Sequence, residues 1–210
     1  MITDDLAFWN KKAKQENWME YILPGKTAKE FHDSGYLQAE LVIPFGDKQK
    51  TVLDYGCGIG RVLKHVAPAF KHAYGLDVCS VFLDRAISYC VGCDNITFAT
   101  TEKFTDKSEI ADVIYCLMVM QHNSSENIDL IIKHIHSLLK ADGIAIIQFP
   151  RVESKIYKET KFVHKFSLDE IMHIARNFSS VAVYPANLAT YQNPDVDYNM
   201  LNEYILIAHL

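Results

Sequence analysis

Residues 51–62 read TVLDYGCGIGRV, a short apolar run that ends in an acid, Asp54, and gives way to glycines at 56, 58 and 60. An apolar run of that length bounded by glycine is a buried strand. Glycines at its end let the chain turn tightly and bring bare backbone against a ligand. Residues 72–77, HAYGLD, repeat the figure and end in Asp77. Outward from these two runs, residues 61–70 read as a helix, and Ser80 is placed to cap another that continues to Tyr89. Residues 95–99 and 112–117 are further buried strands. After Ser124 and Ser125, Ile128, Ile131, Ile132, Ile135, Leu138 and Leu139 recur at helical spacing, with Ala141-Asp142-Gly143 as the expected stop. Residues 144–149 form a strand, Ser167 opens a last helix, and residues 181–184 and 203–209 close the pattern.

Strands alternating with helices predict an α/β fold, a doubly wound and mostly parallel sheet, here of seven strands. Residues 1–45 carry aromatics among charges without a strand pattern, and read as two helices over the carboxyl edge of the sheet. No linker or repeat interrupts the chain, so residues 1–210 are expected to be a single domain: a helical segment at 1–45 and the sheet at 50–210.

Composition excludes several classes. With 210 residues, 49% of them hydrophobic and 22% charged, the chain has enough apolar surface for a full core. Lysine plus arginine number 21 against 26 acids, and a net charge of −5 disfavours non-specific binding of nucleic acid. No run approaches a membrane span, and the start, MITDDLAFWNKKAK, lacks an apolar signal core, so a cytoplasmic location is expected. The five cysteines are an odd set, and Cys90-Val-Gly-Cys93 is half of a zinc or redox motif without a second half, so no metal is expected. Oligomeric state has no signature in the sequence.

In a doubly wound sheet, ligands bind beyond the carboxyl ends of the strands. Asp54 and Asp77 both stand at such ends. A carboxylate two residues before the first glycine is out of place beside a pyrophosphate but suits an amino group, and one at the end of the second strand can accept both hydroxyls of a ribose. An adenosyl compound with an amino-acid tail and no phosphate fits the pair.

These two stretches, TVLDYGCGIGRV and YGLDVCSVFLDRA, resemble the first two cofactor motifs of class I S-adenosylmethionine-dependent methyltransferases. ADVIYCLMVMQH and LLKADGIAIIQFP are similar to the family's fourth strand and its turn into the fifth, so that the likeness covers about residues 50–150. The resemblance implies a Rossmann-like methyltransferase fold with an N-terminal helical lid and S-adenosylmethionine as cofactor. It implies that Asp54, Gly56 and Gly58 surround the methionyl end, that Gly60 belongs to the same cofactor-binding turn, that Asp77 binds the ribose, that Val78 packs on adenine and that Glu102 meets the adenine amino group. It also places Leu117 and Met118 at the methyl-donating end, with Gln121 and His122 beside them.

The fourth motif lacks the Asp/Asn-Pro-Pro-aromatic signature of many enzymes that methylate exocyclic or amide nitrogens. That absence, the net charge and the small size favour an O or N atom of a small molecule. The alternatives are a protein or RNA methyltransferase, or a non-catalytic cofactor-binding partner subunit. His122 is the candidate base, since imidazole titrates near neutrality, and its other reading is a pocket wall. Arg151 suits an anionic substrate or a surface salt bridge, and Tyr191 suits a pocket wall. Trp9, Trp18 and Tyr21 either close over the cofactor or staple the first helices to the sheet.

Overall fold

The computed structural model describes residues 3–22, 26–152, 164–186 and 203–210. It divides into two compact units, Met1–Asp106 and Lys107–Leu210.

In the first unit, helices α1 (Thr3–Ala13), α2 (Met19–Ile22) and α3 (Ala28–Ala39) precede strand β1 (Thr51–Tyr55). The sequence suggested two helices here; the described residues hold three α-helices. Thr27 accounts for the start of α3, because its hydroxyl accepts from the Glu30 N–H while the Glu30 carboxylate accepts from the Thr27 N–H, a reciprocal cap. Helix α4 (Leu63–Val66), strand β2 (His72–Asp77), helix α5 (Ser80–Tyr89) and strand β3 (Ile96–Thr100) complete the unit. β1, β2 and β3 pair in parallel, with Asp54 beside Gly75 and Asp77 beside Thr100. The helix expected over 61–70 is broken. It is reduced to α4 and a 3-10 turn at Ala67–Ala69, where Pro68 brings no N–H to continue the ladder. Ser80 is likewise not a cap but the first helical residue, and Cys79 takes the capping position without a side-chain bond.

The N-terminal helices close on the strand ends through apolar side chains. Ala13, Phe31, Ile59, Cys79 and Phe82 form one buried cluster, with Trp9, Trp18, Met19 and Ile22 packed against it. Trp18 stands edge-on to Phe31 at 5.8 Å and to Phe82 at 6.4 Å, and Arg85 lies over its ring. Trp9 and Trp18 thus staple these helices to α5. Lys12 covers the Tyr21 ring at 3.9 Å.

In the second unit, strand β4 (Ala111–Cys116), helix α6 (Ser125–Leu138), strand β5 (Leu139–Pro150), helix α7 (Leu168–Ala175) and strands β6 (Ser180–Ala186) and β7 (Glu203–His209) follow in order. Ser124 caps α6 through the Asn127 N–H, and Ile128, Ile132, Ile135 and Leu138 form its buried stripe, each worth about 1.5 to 3 kcal/mol of transfer from water. Ser167 and Glu170 form a second reciprocal cap at α7. Ala141-Asp142-Gly143 does not stop α6, which ends at Leu138, with Leu139 already extended. These residues instead fall in a bulge of β5: Leu139 pairs with Ala111 and Ile144 with Val113, and Asp142 absorbs the turn at φ 62°. Lys140 closes the bulge on Asp112 at 2.8 Å.

β7 runs antiparallel to both β5 and β6. The seven strands lie in the order β3-β2-β1-β4-β5-β7-β6, an α/β Rossmann-like sheet that is mostly parallel with one antiparallel hairpin at its edge.

Candidate functional site

The first unit gathers the residues implied for the cofactor around the turn after β1. The N–H groups of Gly56 and Cys57 both donate to the Leu76 carbonyl, at 2.7 and 2.9 Å, which ties the turn to the end of β2. Asp77 ties it again: one carboxylate oxygen accepts from the Gly58 N–H and the other from the Cys79 N–H, each at 2.8 Å. The aspartate therefore holds the glycine turn and the entry to α5 together, which is why Ser80 is not needed as a cap.

Gly58 and Gly60 are glycines for different reasons. Gly58 has φ 53° and open space where a side chain would stand, so backbone conformation and room for a ligand account for it. At Gly60, φ is 76° and an added Cβ would also meet the Cys90 sulfur at 2.7 Å and the Phe98 ring at 3.3 Å, so packing adds to the backbone's demand for glycine.

Asp54 is 4% exposed and Asp77 8%. Burial pushes the Asp77 carboxyl up to about 6, against the opposing pull of the N–H groups of Cys79, Gly58 and Val78. Burial, then the charges of Asp54 and Asp77, push the Cys57 thiol well up. Burial carries Cys90 to about 12, so it is an inert thiol beside the Gly60 carbonyl. All five cysteines are free, and among the described residues no group of three His, Cys, Asp or Glu side chains could hold a metal ion.

Val78 is half-buried directly after Asp77. Glu102 stands exposed in the 3-10 turn Thr101–Phe104 that follows β3. Its neighbour Thr101 is the buried one, 4% exposed, and its hydroxyl has no hydrogen-bond partner. Sequence reasoning passed over Thr101, because an orphaned hydroxyl has no signature in residue order.

The second unit gathers another set around the turn after β4. Leu117 is buried, Met118 and His122 are half-buried, and Gln121 is 2% exposed. Met118 has φ 62°, the left-handed region that costs a non-glycine residue about 1 to 2 kcal/mol. Gln148, fully buried on β5, holds it there: its carbonyl oxygen accepts from the Met118 N–H at 2.6 Å and its amide N–H donates to the Met118 sulfur at 3.4 Å. Gln148 was not foreseen, since a glutamine within IAIIQF reads only as a strand residue.

Gln148→Leu is expected to lower unfolding free energy by about 1 to 3 kcal/mol by depriving the Met118 N–H of that acceptor. Adding Met118→Gly relieves the left-handed backbone and should recover about 1 kcal/mol of that loss in urea titrations.

The Arg151 guanidinium lies over the Tyr204 ring at 4.7 Å, a contact that neither sequence reading anticipated. Tyr191 lies outside the described residues. His164 donates its backbone N–H to the Gln121 carbonyl at 2.7 Å, while its ring stacks on Phe166 at 4.3 Å and stands 3.6 Å from the Glu170 carboxylate.

Two buried acids at neighbouring strand ends, a glycine turn with open space at Gly58 and no basic side chain in the turn before Arg61 make an environment for a cation rather than a phosphate. The sequence model of a methyltransferase domain matches residues 31–182. The chain belongs to this family. Its fold is shared with phosphoethanolamine N-methyltransferase 1 of Haemonchus contortus, solved with phosphoethanolamine and S-adenosylhomocysteine, at 15% identity and a TM-score of 0.73; the match covers 99% of this chain and 48% of that one. This chain therefore spans about half the length of that enzyme. Magnesium protoporphyrin IX methyltransferase of Synechocystis, solved with S-adenosylhomocysteine, is matched at 18% identity and a TM-score of 0.70 over 99% of this chain and 98% of that one. A Haloferax volcanii methyltransferase in complex with the Trm112 activator is matched at 15% identity and a TM-score of 0.69, over 92% and 94%. No curated protein sequence matches the chain. Among its described residues no helix is long and apolar enough to cross a membrane.

Proposed function

We propose that this methyltransferase transfers a methyl group to an O or N atom of a small molecule. The observation that carries the reading is the depth of the turn after β4: Leu117 and Gln121 are 6% and 2% exposed, so a group reaching them must be slender. The net charge of −5 favours the same reading over a nucleic-acid substrate. Two of the similar structures, from Haemonchus contortus and Synechocystis, bear the names of small-molecule methyltransferases.

The cofactor we assign to it, S-adenosylmethionine, would supply a methyl group already activated on a sulfonium. What the chain contributes is placement and charge. Asp77 would accept the ribose hydroxyls, with Val78 beside the adenine and with Glu102 and the Thr101 hydroxyl at the β3 end of the same unit. Asp54 would pair with the methionyl ammonium, beside Gly56 and Gly58. Holding donor and acceptor in line accounts for roughly 7 to 11 kcal/mol of barrier. Arg151 and Tyr191 are assigned to the acceptor.

His122 is proposed to take the proton from the acceptor hydroxyl or amine as the new bond forms. His122→Ala is therefore expected to lower kcat by about a hundredfold or more while the affinity for S-adenosylhomocysteine stays put. A drop of only a few fold would assign His122 to the pocket wall. For the acceptor, methyl-labelled S-adenosylmethionine is incubated with the enzyme and a cell extract, which is then separated by size. Label in the small-molecule fraction is the expected result; label confined to protein or RNA would overturn the reading.

A further inference from the structure

The turn after β4 contains one buried polar atom with nothing to bind. Gln121 is 2% exposed, and its side-chain oxygen has no hydrogen-bond partner. Its orientation follows from its neighbour. The amide N–H of Gln121 points at the Met118 sulfur at 3.9 Å, and the Gln148 N–H reaches the same sulfur at 3.4 Å. A thioether sulfur accepts and never donates, so it draws the N–H side of each amide and leaves the oxygen side facing away. For Gln148 that oxygen is taken by the Met118 N–H. For Gln121 it is left over.

A buried acceptor without a donor is a cost to folding that native structures seldom carry, unless a water or a ligand settles it. The backbone here is also strained at Met118 and fixed by Gln148 and by the His164 N–H on the Gln121 backbone carbonyl, so the turn presents the Gln121 side chain from a fixed point. The unmatched group is an acceptor, and what completes it is an N–H or O–H donor.

We infer that the Gln121 side-chain oxygen accepts a hydrogen bond from the nucleophile-bearing group of the methyl acceptor, an amine or a hydroxyl, and is a specificity-determining residue of this enzyme. The inference rests on the reading that the turn after β4 lines the methyl-donating end. It disfavours acceptors without an N–H or O–H at the reacting centre, such as a carboxylate, a thioether or a tertiary amine. The methionyl ammonium of the cofactor offers the same donor chemistry, and the test separates the two sources.

Three nucleosides are titrated calorimetrically into the full chain: sinefungin, which carries an amine where the transferable methyl stands; S-adenosylhomocysteine, which keeps the amino-acid tail and lacks that amine; and methylthioadenosine, which lacks the tail. Gln121→Met, unbranched and of similar length, is expected to weaken sinefungin about tenfold to a hundredfold while the other two change less than about twofold. Gln121→Glu, which keeps an oxygen in the same place, should bind sinefungin at least as well as the wild type, and it carries the test if the methionine variant fails to fold. Equal weakening of sinefungin and S-adenosylhomocysteine, with methylthioadenosine unmoved, would give the oxygen to the methionyl ammonium and overturn the inference. Unchanged affinity for all three in Gln121→Met would overturn it too. Failure of the wild type to bind any of the three would instead overturn the cofactor assignment itself.

Discussion

Asp77→Ala is expected to raise the dissociation constant for S-adenosylhomocysteine by about a hundredfold to ten-thousandfold, the loss of two charge-assisted hydrogen bonds to a ribose diol. Alanine removes more than the ligand's partner. It frees the Gly58 and Cys79 N–H groups that the carboxylate now holds at 2.8 Å, so the glycine turn loses its tie to β2 as the ribose loses its acceptor. The pH dependence of the wild type gives a second reading of the same group. Ribose hydroxyls donate, so the ionised form binds best, and affinity should fall as pH drops through about 6, the value to which burial pushes this carboxyl. Stability of the free protein should run the other way. The native state holds a proton on Asp77 between its ordinary value of 3.8 and about 6, where the unfolded chain has lost it, so this contribution is present at the acid end and is lost as pH rises across that window. Asp77→Ala should flatten both slopes. An unchanged dissociation constant in calorimetry would remove Asp77 from the cofactor site.

The strands that position this residue were legible because parallel strands buried on both faces read as unbroken apolar runs: β1, β2 and β4 fall within one residue of expectation at each end. The helices were less so. Residues 61–70 have helical periodicity, yet the turn from Gly60 and the missing N–H of Pro68 leave only four residues of α-helix. Ala141-Asp142-Gly143 has the composition of a helix stop, but Leu139 already pairs with Ala111, and the strand bulged around the turn instead. At the site, Asp54 and Asp77 were visible as acids at strand ends, because position along a strand fixes which edge a residue reaches. Gln121, Gln148 and Thr101 matter through what surrounds their polar atoms. Whether a buried amide is paired depends on strands far apart in sequence, and no local pattern encodes it. The resemblance puts Glu102 just past β3, and the 3-10 turn there exposes it while burying Thr101.

Gly35→Ala should be strongly destabilising, although it lies outside the turn after β1. Gly35 lies inside α3, where glycine is ordinarily a liability worth about 1 kcal/mol against alanine, so a helix-propensity argument predicts stabilisation. The packing predicts the reverse. A Cβ at Gly35 would stand 2.3 Å from the Arg61 carbonyl oxygen and 2.7 Å from the Arg61 Cγ, and backbone cannot yield as a flexible side-chain tip does. Arg61 is 6% exposed and is itself held by α3: its guanidinium donates to the Ser34 hydroxyl at 2.8 Å and to the Gln38 side-chain oxygen at 2.6 Å, and lies over the Phe31 ring. Pushing α3 away by one methyl therefore loosens a buried, hydrogen-bonded charge as well as the apolar cluster around Phe31. A loss of about 3 kcal/mol or more is expected, which in a chain of this size lowers the melting temperature by roughly 6 to 12 °C. Because Arg61 directly follows Gly60, the glycine turn should shift with it, and S-adenosylhomocysteine affinity should fall along with stability. Ser34→Ala removes one hydrogen bond and adds no atom, and is expected to cost only about 1 kcal/mol in the same melts. If the two variants melt together, close to the wild type, then α3 does not seat on the Arg61 backbone, and the close approach that makes Gly35 a glycine is absent in solution.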